Sequence, residues 1–477
     1  MKELQPANDY LQGKPVGKNE FRPAYHLSPE FGWCNDPHGI AFFHGLYHVF
    51  FQYNPYSTKA ENIFWGHATT SDFVHFSKTC CALAPDMPYD NSGCWSGSSI
   101  VIGDVLYLVY TGFSLHEDGK YYQTVNVAYS EDGVNFSKYP QNPIIDTKDI
   151  PSCASVFDFR DPCAFAKDGK FYIIVGSKSP EEKEAMLLLY EGKDIFHFSF
   201  LKKLVSSSEF GTMFECPNLV SFEDKDFIIM SPQNIKENDG DFANVSSCVY
   251  FPLTKDFVHE EQTLSNVIEI DHGLEFYAPT VFDEEKIMVS WFQMWGRRYY
   301  LDEIGNDFVN AFSLFKRIEK RGDRLAFIPA PLEKYYKNQT KESYVLDGER
   351  GYGDSASAHY RISFKKDAGL VLSFKIKGTS LTVDCRNNRY TLDRTKSDVP
   401  LGGVDPSSAK EGVRYLKKSI PEWLCFDIYM DQANIEVYFD DYEESFSFLD
   451  FSANSSFAIR SSKRVEIEVE REEIEVR

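Results

Sequence analysis

The chain reads as an all-β protein, a five-bladed β-propeller followed by a C-terminal β-sandwich. Three features predict this. An apolar run, a tight turn and a second apolar run recur five times, at 40–53, 99–112, 164–176, 219–231 and 280–292. A second hairpin with an Asp- or Gly-bearing turn follows each copy. Beyond residue 357 the sequence alternates with period two in short segments, the mark of sheets with one wet face.

The first hairpins turn at His44-Gly45, Gly103-Asp104, 167–170, 223–226 and 283–286. Alternation, aromatic content and turn chemistry make each a β-hairpin. The second hairpins pass through Ser71-Asp72-Phe73-Val74, Glu131-Asp132-Gly133-Val134, Lys193-Asp194-Ile195-Phe196 and Lys255-Asp256-Phe257-Val258, with a degenerate copy at Arg321-Gly322-Asp323-Arg324. Two hairpins make a four-stranded blade. One blade cannot bury its own faces, so five must stack around a centre. Residues 1–335 are assigned to the propeller and 336–477 to the sandwich. The polar stretch 337–357 is read as the link between them. Clear strand patterns beyond it are 370–376, 426–439 and 465–470.

The aromatic fraction is 16% and the formal net charge −22. The first suits a β-rich, sugar-stacking protein. The second argues against nucleic acid and anionic membranes as partners. The first 20 residues hold no apolar signal core, and no stretch is long enough to span a bilayer. A cytoplasmic location is the expectation, with the ten cysteines reduced. No Cys or His spacing describes a metal site, His44 and His48 included, so no metal is expected. A homo-oligomer stays open.

Three acids precede hairpins in separate blades: Asp36 in Trp33-Cys34-Asn35-Asp36-Pro37, Asp161 in Phe159-Arg160-Asp161-Pro162, and Glu215 in Phe214-Glu215-Cys216-Pro217. They are read as occupying one equivalent place in the repeat, so that radial symmetry gathers them. Converging carboxylates suit glycosidic bond cleavage. In a retaining enzyme two carboxyls stand about 5–5.5 Å apart, one a nucleophile and the other an acid/base. The polar surroundings of Asp36 make it the ionised nucleophile. The apolar neighbours of Glu215 (Met213, Phe214, Cys216 and Pro217) favour a protonated acid/base. Asp161 is expected to stay ionised, fixed by a bidentate pair with Arg160. Trp65 and Trp95 are candidates to stack on sugar rings, and Tyr277 lies at the same mouth.

These motifs resemble glycoside hydrolase family 32, which includes invertase, sucrose-6-phosphate hydrolase and fructan exohydrolases. Supporting stretches are Phe50-Phe51-Gln52-Tyr53-Asn54-Pro55, Trp65-Gly66-His67-Ala68, Gly93-Cys94-Trp95-Ser96-Gly97-Ser98, Asp271-His272-Gly273 and Phe276-Tyr277-Ala278-Pro279. The resemblance runs from about Arg22 to the C-terminus. It implies a propeller with a sandwich, retention of configuration and no cofactor. It also implies that Asp36 is the nucleophile, Asp161 the transition-state stabiliser and Glu215 the acid/base, with Asn35, Gln52, Trp65, Ser96 and Arg160 contacting a fructosyl unit. The implied reaction is release of terminal β-D-fructofuranosyl units from sucrose, sucrose 6-phosphate or short fructans. A fructoside-binding protein without activity and a fructosyltransferase are the alternatives. The chain departs from the family pattern at Cys34 and His38, and at Leu314-Phe315-Lys316 in place of Leu-Pro-Arg. His38 is placed to alter pH dependence or a subsite contact, and Arg297-Arg298 is read first as a solvated surface pair, with a phosphate contact at the mouth as the alternative.

Overall fold

The computed structural model describes residues 2–14, 16, 19–117, 119–403 and 410–476. Five antiparallel sheets form a propeller. The first strand of each blade is its innermost: Gly32–Phe43, Gly93–Ile102, Phe159–Lys167, Met213–Ser221 and Tyr277–Phe282, in blades I to V. Each of these strands packs on the first strands of both neighbouring blades, which closes the ring. A further segment, Phe308–Val309, leaves blade V and pairs in parallel with Gly32 and Trp33 of blade I.

The repeated Asp of the outer hairpins has a local cause. Asp72 Oδ1 accepts from the backbone N–H of Val74 and His75, and Asp132 Oδ1 from those of Val134 and Asn135. Asp194 Oδ1 accepts likewise from Phe196. These are Asx turns, in which the side chain replaces a backbone acceptor.

The inner strands share one irregularity. In every blade the pairing with the second strand slips at the same height, between Cys34 and Pro37, Trp95 and Gly97, Arg160 and Cys163, Glu215 and Asn218, and Tyr277 and Thr280. Pro37, Pro162, Pro217 and Pro279 lie at these β-bulges. A proline has no N–H to give a ladder and is tolerated in a strand where pairing lapses. In blades III to V the residue before the proline is left-handed: Asp161 (φ 63°), Cys216 (φ 48°) and Ala278 (φ 47°).

The three acids are therefore not at one equivalent position, which corrects the sequence reading. Glu215 is the last paired residue before its bulge, level with Arg160 and Tyr277 in the adjacent blades. Asp161 is the first residue within its bulge and Asp36 the second. Nor do they precede the strands; they lie inside them.

The sandwich follows the last propeller strand, Arg324–Pro329. Its two layers are joined by one long strand, Ser456–Ile474. The first half of that strand pairs with Val371–Ile376, and its second half with Ser357–Lys365. Side chains from both layers meet in one core, with Phe374, Leu381 and Tyr390 facing Ile362, Phe426 and Phe446. Two expectations change here. The polar stretch 337–357 is no linker, because most of it forms the 19-residue strand Tyr336–Asp354, hydrogen-bonded to Ser456–Ile474 along one side only. An edge strand with charged, exposed side chains carries no apolar alternation to read. The run 426–439 is a hairpin, Trp423–Asp431 with Asn434–Phe439.

Buried ion pairs join propeller and sandwich. His26 lies between Asp431 (2.8 Å) and Glu436 (3.0 Å), and Lys316 reaches Glu436 at 3.0 Å. The departure at Lys316 is thus an interdomain contact. Among the described residues all ten cysteines are unpaired, and no helix is long and apolar enough to cross a membrane.

Candidate active site

The bulges open into a cavity of about 480 Å³. Asp36, Asp161 and Glu215 all line it, with Gln52, Trp95 and Arg160. Asp36 and Asp161 lie within their bulges, where the broken pleat sets the aim of the side chain, and Glu215 enters from the last regular pair before its own.

Asp36 is fixed by neutral donors. Asn35 Nδ2 donates to its Oδ1 (3.1 Å), while Gln52 Nε2 (3.3 Å) and Ser96 Oγ (2.9 Å) donate to Oδ2. Trp33 Nε1 donates to Asn35 Oδ1 at 2.7 Å and so orients that amide. Burial, then the charges of Asp161 and Glu215, push the Asp36 carboxyl up to about 7, although the bonds from Asn35 and Ser96 pull the other way. The expectation of a readily ionised Asp36 fails for this reason. The polar neighbours supply hydrogen bonds, but the site withholds solvent and adds two like charges.

Asp161 Oδ2 accepts from the Cys216 backbone N–H at 3.0 Å. Burial raises its carboxyl to about 6; Glu215 adds to the rise, and Arg160 and Cys216 oppose it. Arg160 does not form the expected bidentate pair with Asp161. Its Nε (3.1 Å) and Nη2 (2.8 Å) both donate to Glu215 Oε1, and its Nη1 donates to Asp158 Oδ1 at 3.2 Å. The Tyr277 hydroxyl donates to Glu215 Oε2. Equivalent positions of blades III, IV and V thus clasp one another: a cation, a carboxylate and a phenol. Adjacent residues of a strand diverge, whereas residues level across blades converge. The apolar environment expected for Glu215 is likewise absent at its carboxylate.

Asn35 and Ser96 are buried and touch Asp36 from behind the cavity wall. Trp65 and Tyr277 do not line the cavity. Trp65 is 0% exposed, packs against His38 at 4.0 Å between ring centroids, and donates its indole N–H to the Trp95 carbonyl at 2.9 Å. Tyr277 is buried on Glu215. Trp95 does face the cavity, stacked on Phe113 at 4.1 Å and 9°. Trp295 faces it too, 37% exposed and stacked on Trp33 at 6.0 Å. Sequence reasoning missed Asp158, Gln123, Phe113 and Tyr121 as wall residues. Asp158 carried a signal, an acid two residues before Arg160; the others carried none.

Cys34 and His38 face away from the cavity. The Cys34 thiol points to the Val309 carbonyl (3.7 Å), and burial holds the His38 imidazole well below its usual range, neutral against Trp65. Arg297 and Arg298 do not line it either. Arg297 Nη2 donates to Asn244 Oδ1 (3.1 Å), and Arg298 Nε donates to both carboxylate oxygens of Glu303 at 2.8 Å. Among the described residues, ligand-type atoms of Asp241, Glu269 and His272 gather within 4.8 Å of one another. Burial would lower the His272 imidazole, yet Glu269 and Glu444 carry it well above its usual range. These groups pair with one another: His272 Nδ1 lies 3.2 Å from Glu269 and Nε2 2.9 Å from Glu444.

Comparison with known proteins places this geometry. The glycosyl hydrolases family 32 N-terminal domain matches residues 26–329. A sucrose-6-phosphate hydrolase of Bacillus subtilis is 28% identical, over 75% of this chain and 80% of its own. A raffinose invertase of Escherichia coli is 28% identical, over 90% and 89%. The structure of a Bombyx mori family 32 β-fructofuranosidase superposes with a TM-score of 0.85 at 26% identity, covering 99% of this chain and 98% of that one. The family match spans the whole ring of blades and the carboxylate-lined cavity at its centre, and on that ground the protein belongs to glycoside hydrolase family 32 and is a glycoside hydrolase.

Proposed function

We propose that the protein releases terminal β-D-fructofuranosyl units with retention of configuration, through a covalent fructosyl-enzyme. The observation that carries this is the meeting of Asp36, Asp161 and Glu215 in one cavity, each at a separate bulge. Position within the motifs assigns the roles. An Asp36 oxygen attacks the anomeric carbon as the glycosidic C–O bond breaks, and Glu215 gives its proton to the leaving oxygen. Glu215 then takes a proton from water, the water oxygen bonds to the anomeric carbon, and Asp36 is freed. Asp161 stabilises the oxocarbenium-like charge. Arg160 and Tyr277 hold Glu215 in place, and Asn35, Gln52 and Ser96 hold Asp36. The raised carboxyls of Asp36 and Asp161 support protons held at these two acids near neutrality. In this reading residues 1–335 are the catalytic unit and 336–477 its support.

The favoured substrate is a neutral fructoside such as sucrose. Four carboxylates face the cavity (Asp36, Asp158, Asp161 and Glu215). Arg160 is the one Lys or Arg among its described lining residues, and it is already bonded to two of them. A phosphate dianion meets repulsion there. Trp95 and Trp295 offer faces to an uncharged ring.

The test compares initial rates on sucrose, sucrose 6-phosphate, kestose and inulin for wild type and Asp36→Ala. Sucrose should exceed sucrose 6-phosphate at least about tenfold in kcat/KM, with the variant inert on all four. Equal binding of fructosides by an inert wild type would make the protein a lectin-like binder instead. A preference for the phosphorylated sugar would overturn the substrate reading alone.

A further inference from the structure

A second recess, of about 590 Å³, lies on the outer face of the sandwich layer that carries Val371–Ile376. Its lining is cationic: Lys375, Lys377, Lys396 and Arg460, against Glu349 and Asp398. The pleat sets this arrangement. Ser373 and Lys375 project from one face of their strand, opposite Arg460 and Ala458 of the neighbouring strand, with Ser380 across from Lys375 on the other side.

The chain carries a net charge of −22, so a recess lined by more cations than carboxylates runs against the whole. Among the described residues Lys375, Lys396 and Arg460 have no carboxylate oxygen within 4.0 Å. Lys377 is the more telling residue. It turns the chain between Val371–Ile376 and Thr379–Asp384 in the left-handed region (φ 56°), a conformation a long side chain rarely takes. It is 4% exposed, and among the described residues its ammonium has one acceptor, the Gln432 carbonyl at 3.0 Å. An ammonium has three protons to donate. The next residue must be glycine, since a Cβ at Gly378 would stand 2.5 Å from Ser452 Oγ and 2.6 Å from Ser397 Cα. The turn is thus pressed against the segment carrying Lys396 and Asp398.

We propose that this recess binds a sugar phosphate. Two positive charges in excess match a phosphate dianion, with Lys377 at the floor and Lys375, Lys396 and Arg460 at the walls. The remaining lining suits a polyol. The Glu349 and Asp398 carboxylates and the Asn454 amide accept from sugar hydroxyls, and Ser373 and Ser380 donate or accept. The volume exceeds what a phosphate ion fills. No step of hydrolysis passes through the recess, so the proposal stands apart from the reading of the propeller cavity.

Titration calorimetry on the full chain tests it, with glucose 6-phosphate, inorganic phosphate and glucose as probes. Glucose 6-phosphate should bind more tightly than inorganic phosphate, and glucose should give no heat. Lys375→Glu combined with Arg460→Glu should weaken glucose 6-phosphate at least about tenfold and leave sucrose hydrolysis unchanged. Both side chains are exposed, so the fold should tolerate the change; Lys396→Glu, also exposed, gives a second and smaller loss. Absence of binding at millimolar glucose 6-phosphate, or binding that survives the double reversal, overturns the site. Equal affinity for inorganic phosphate and glucose 6-phosphate overturns the sugar component.

Discussion

The propeller cavity and the sandwich recess oppose each other in charge and in how the backbone makes them. Four carboxylates face the first around one committed arginine, and four cations face the second around two carboxylates. The cavity is built where strand pairing lapses inside a ring, so Asp36, Asp161 and Glu215 are buried, and burial with neighbouring like charge raises the Asp36 and Asp161 carboxyls. The recess is built on an outer sheet face, so all but one of its cations remain in water. Desolvated like charges are costly to hold and chemically responsive, whereas solvated ones are neither. Reactivity is therefore expected from the cavity and ligand capture from the recess.

The sharpest break of this contrast is Glu215→Ala. If Glu215 gives and takes the proton, its loss should lower kcat on sucrose about 10²–10⁴-fold. Azide should restore turnover on a fructoside with a good leaving group, since that substrate needs no proton and azide needs no base. A folded variant that azide cannot rescue would move the acid/base role elsewhere.

A smaller effect separates a half-buried, carboxylate-bound cation from exposed ones. Arg160→Gln removes two donors from Glu215 and one from Asp158, and should cost about 10–10³-fold in kcat/KM. The Arg160 charge also holds Asp161 down. Without it the Asp161 carboxyl rises, and the acid limb of the kcat/KM profile should move to higher pH. Lys375→Glu, a larger charge change but in the recess, should leave both rate and profile untouched. A fall in rate without movement of the limb would reduce Arg160 to a packing role.

Much of this was legible in the chain. Hairpins announce themselves by alternation and turn residues, and Asp72, Asp132 and Asp194 mark outer turns because the turn needs their side-chain oxygen. The Asp-Pro and Cys-Pro pairs mark the inner site because a proline there reports broken pairing. Register across the bulge was not legible. Asp36 and Asp161 each stand directly before a proline and Glu215 one residue further back, so the motifs look alike, yet the three acids occupy three successive positions relative to the bulge. That offset sets Arg160 on Glu215 in place of Asp161. Trp65 shows the same limit, since its motif gives no sign of which face of the strand it takes. The strand Tyr336–Asp354 was hidden for the opposite reason: an edge held by backbone bonds needs no apolar code.

The smallest expected effect concerns stability. The folded Asp36 carboxyl sits at about 7 against an ordinary 3.8, so the folded chain holds this proton more tightly than the unfolded one. Stability from this group is full below pH 3.8 and declines as pH rises to about 7, where an ionised carboxylate is left among Asp161 and Glu215. The gap between those two values sets a ceiling of about 4 kcal/mol. Asp36→Asn removes the charge and keeps the shape, so the variant should melt above wild type at pH 8 while being inactive. The difference should narrow steadily toward pH 4, where wild-type Asp36 is itself neutral. Melting curves of the two proteins across that range test the sign directly. A difference that stays constant with pH would mean that the like charges of the cavity are already screened, and the contrast between a strained propeller site and a relaxed sandwich site would lose its electrostatic basis.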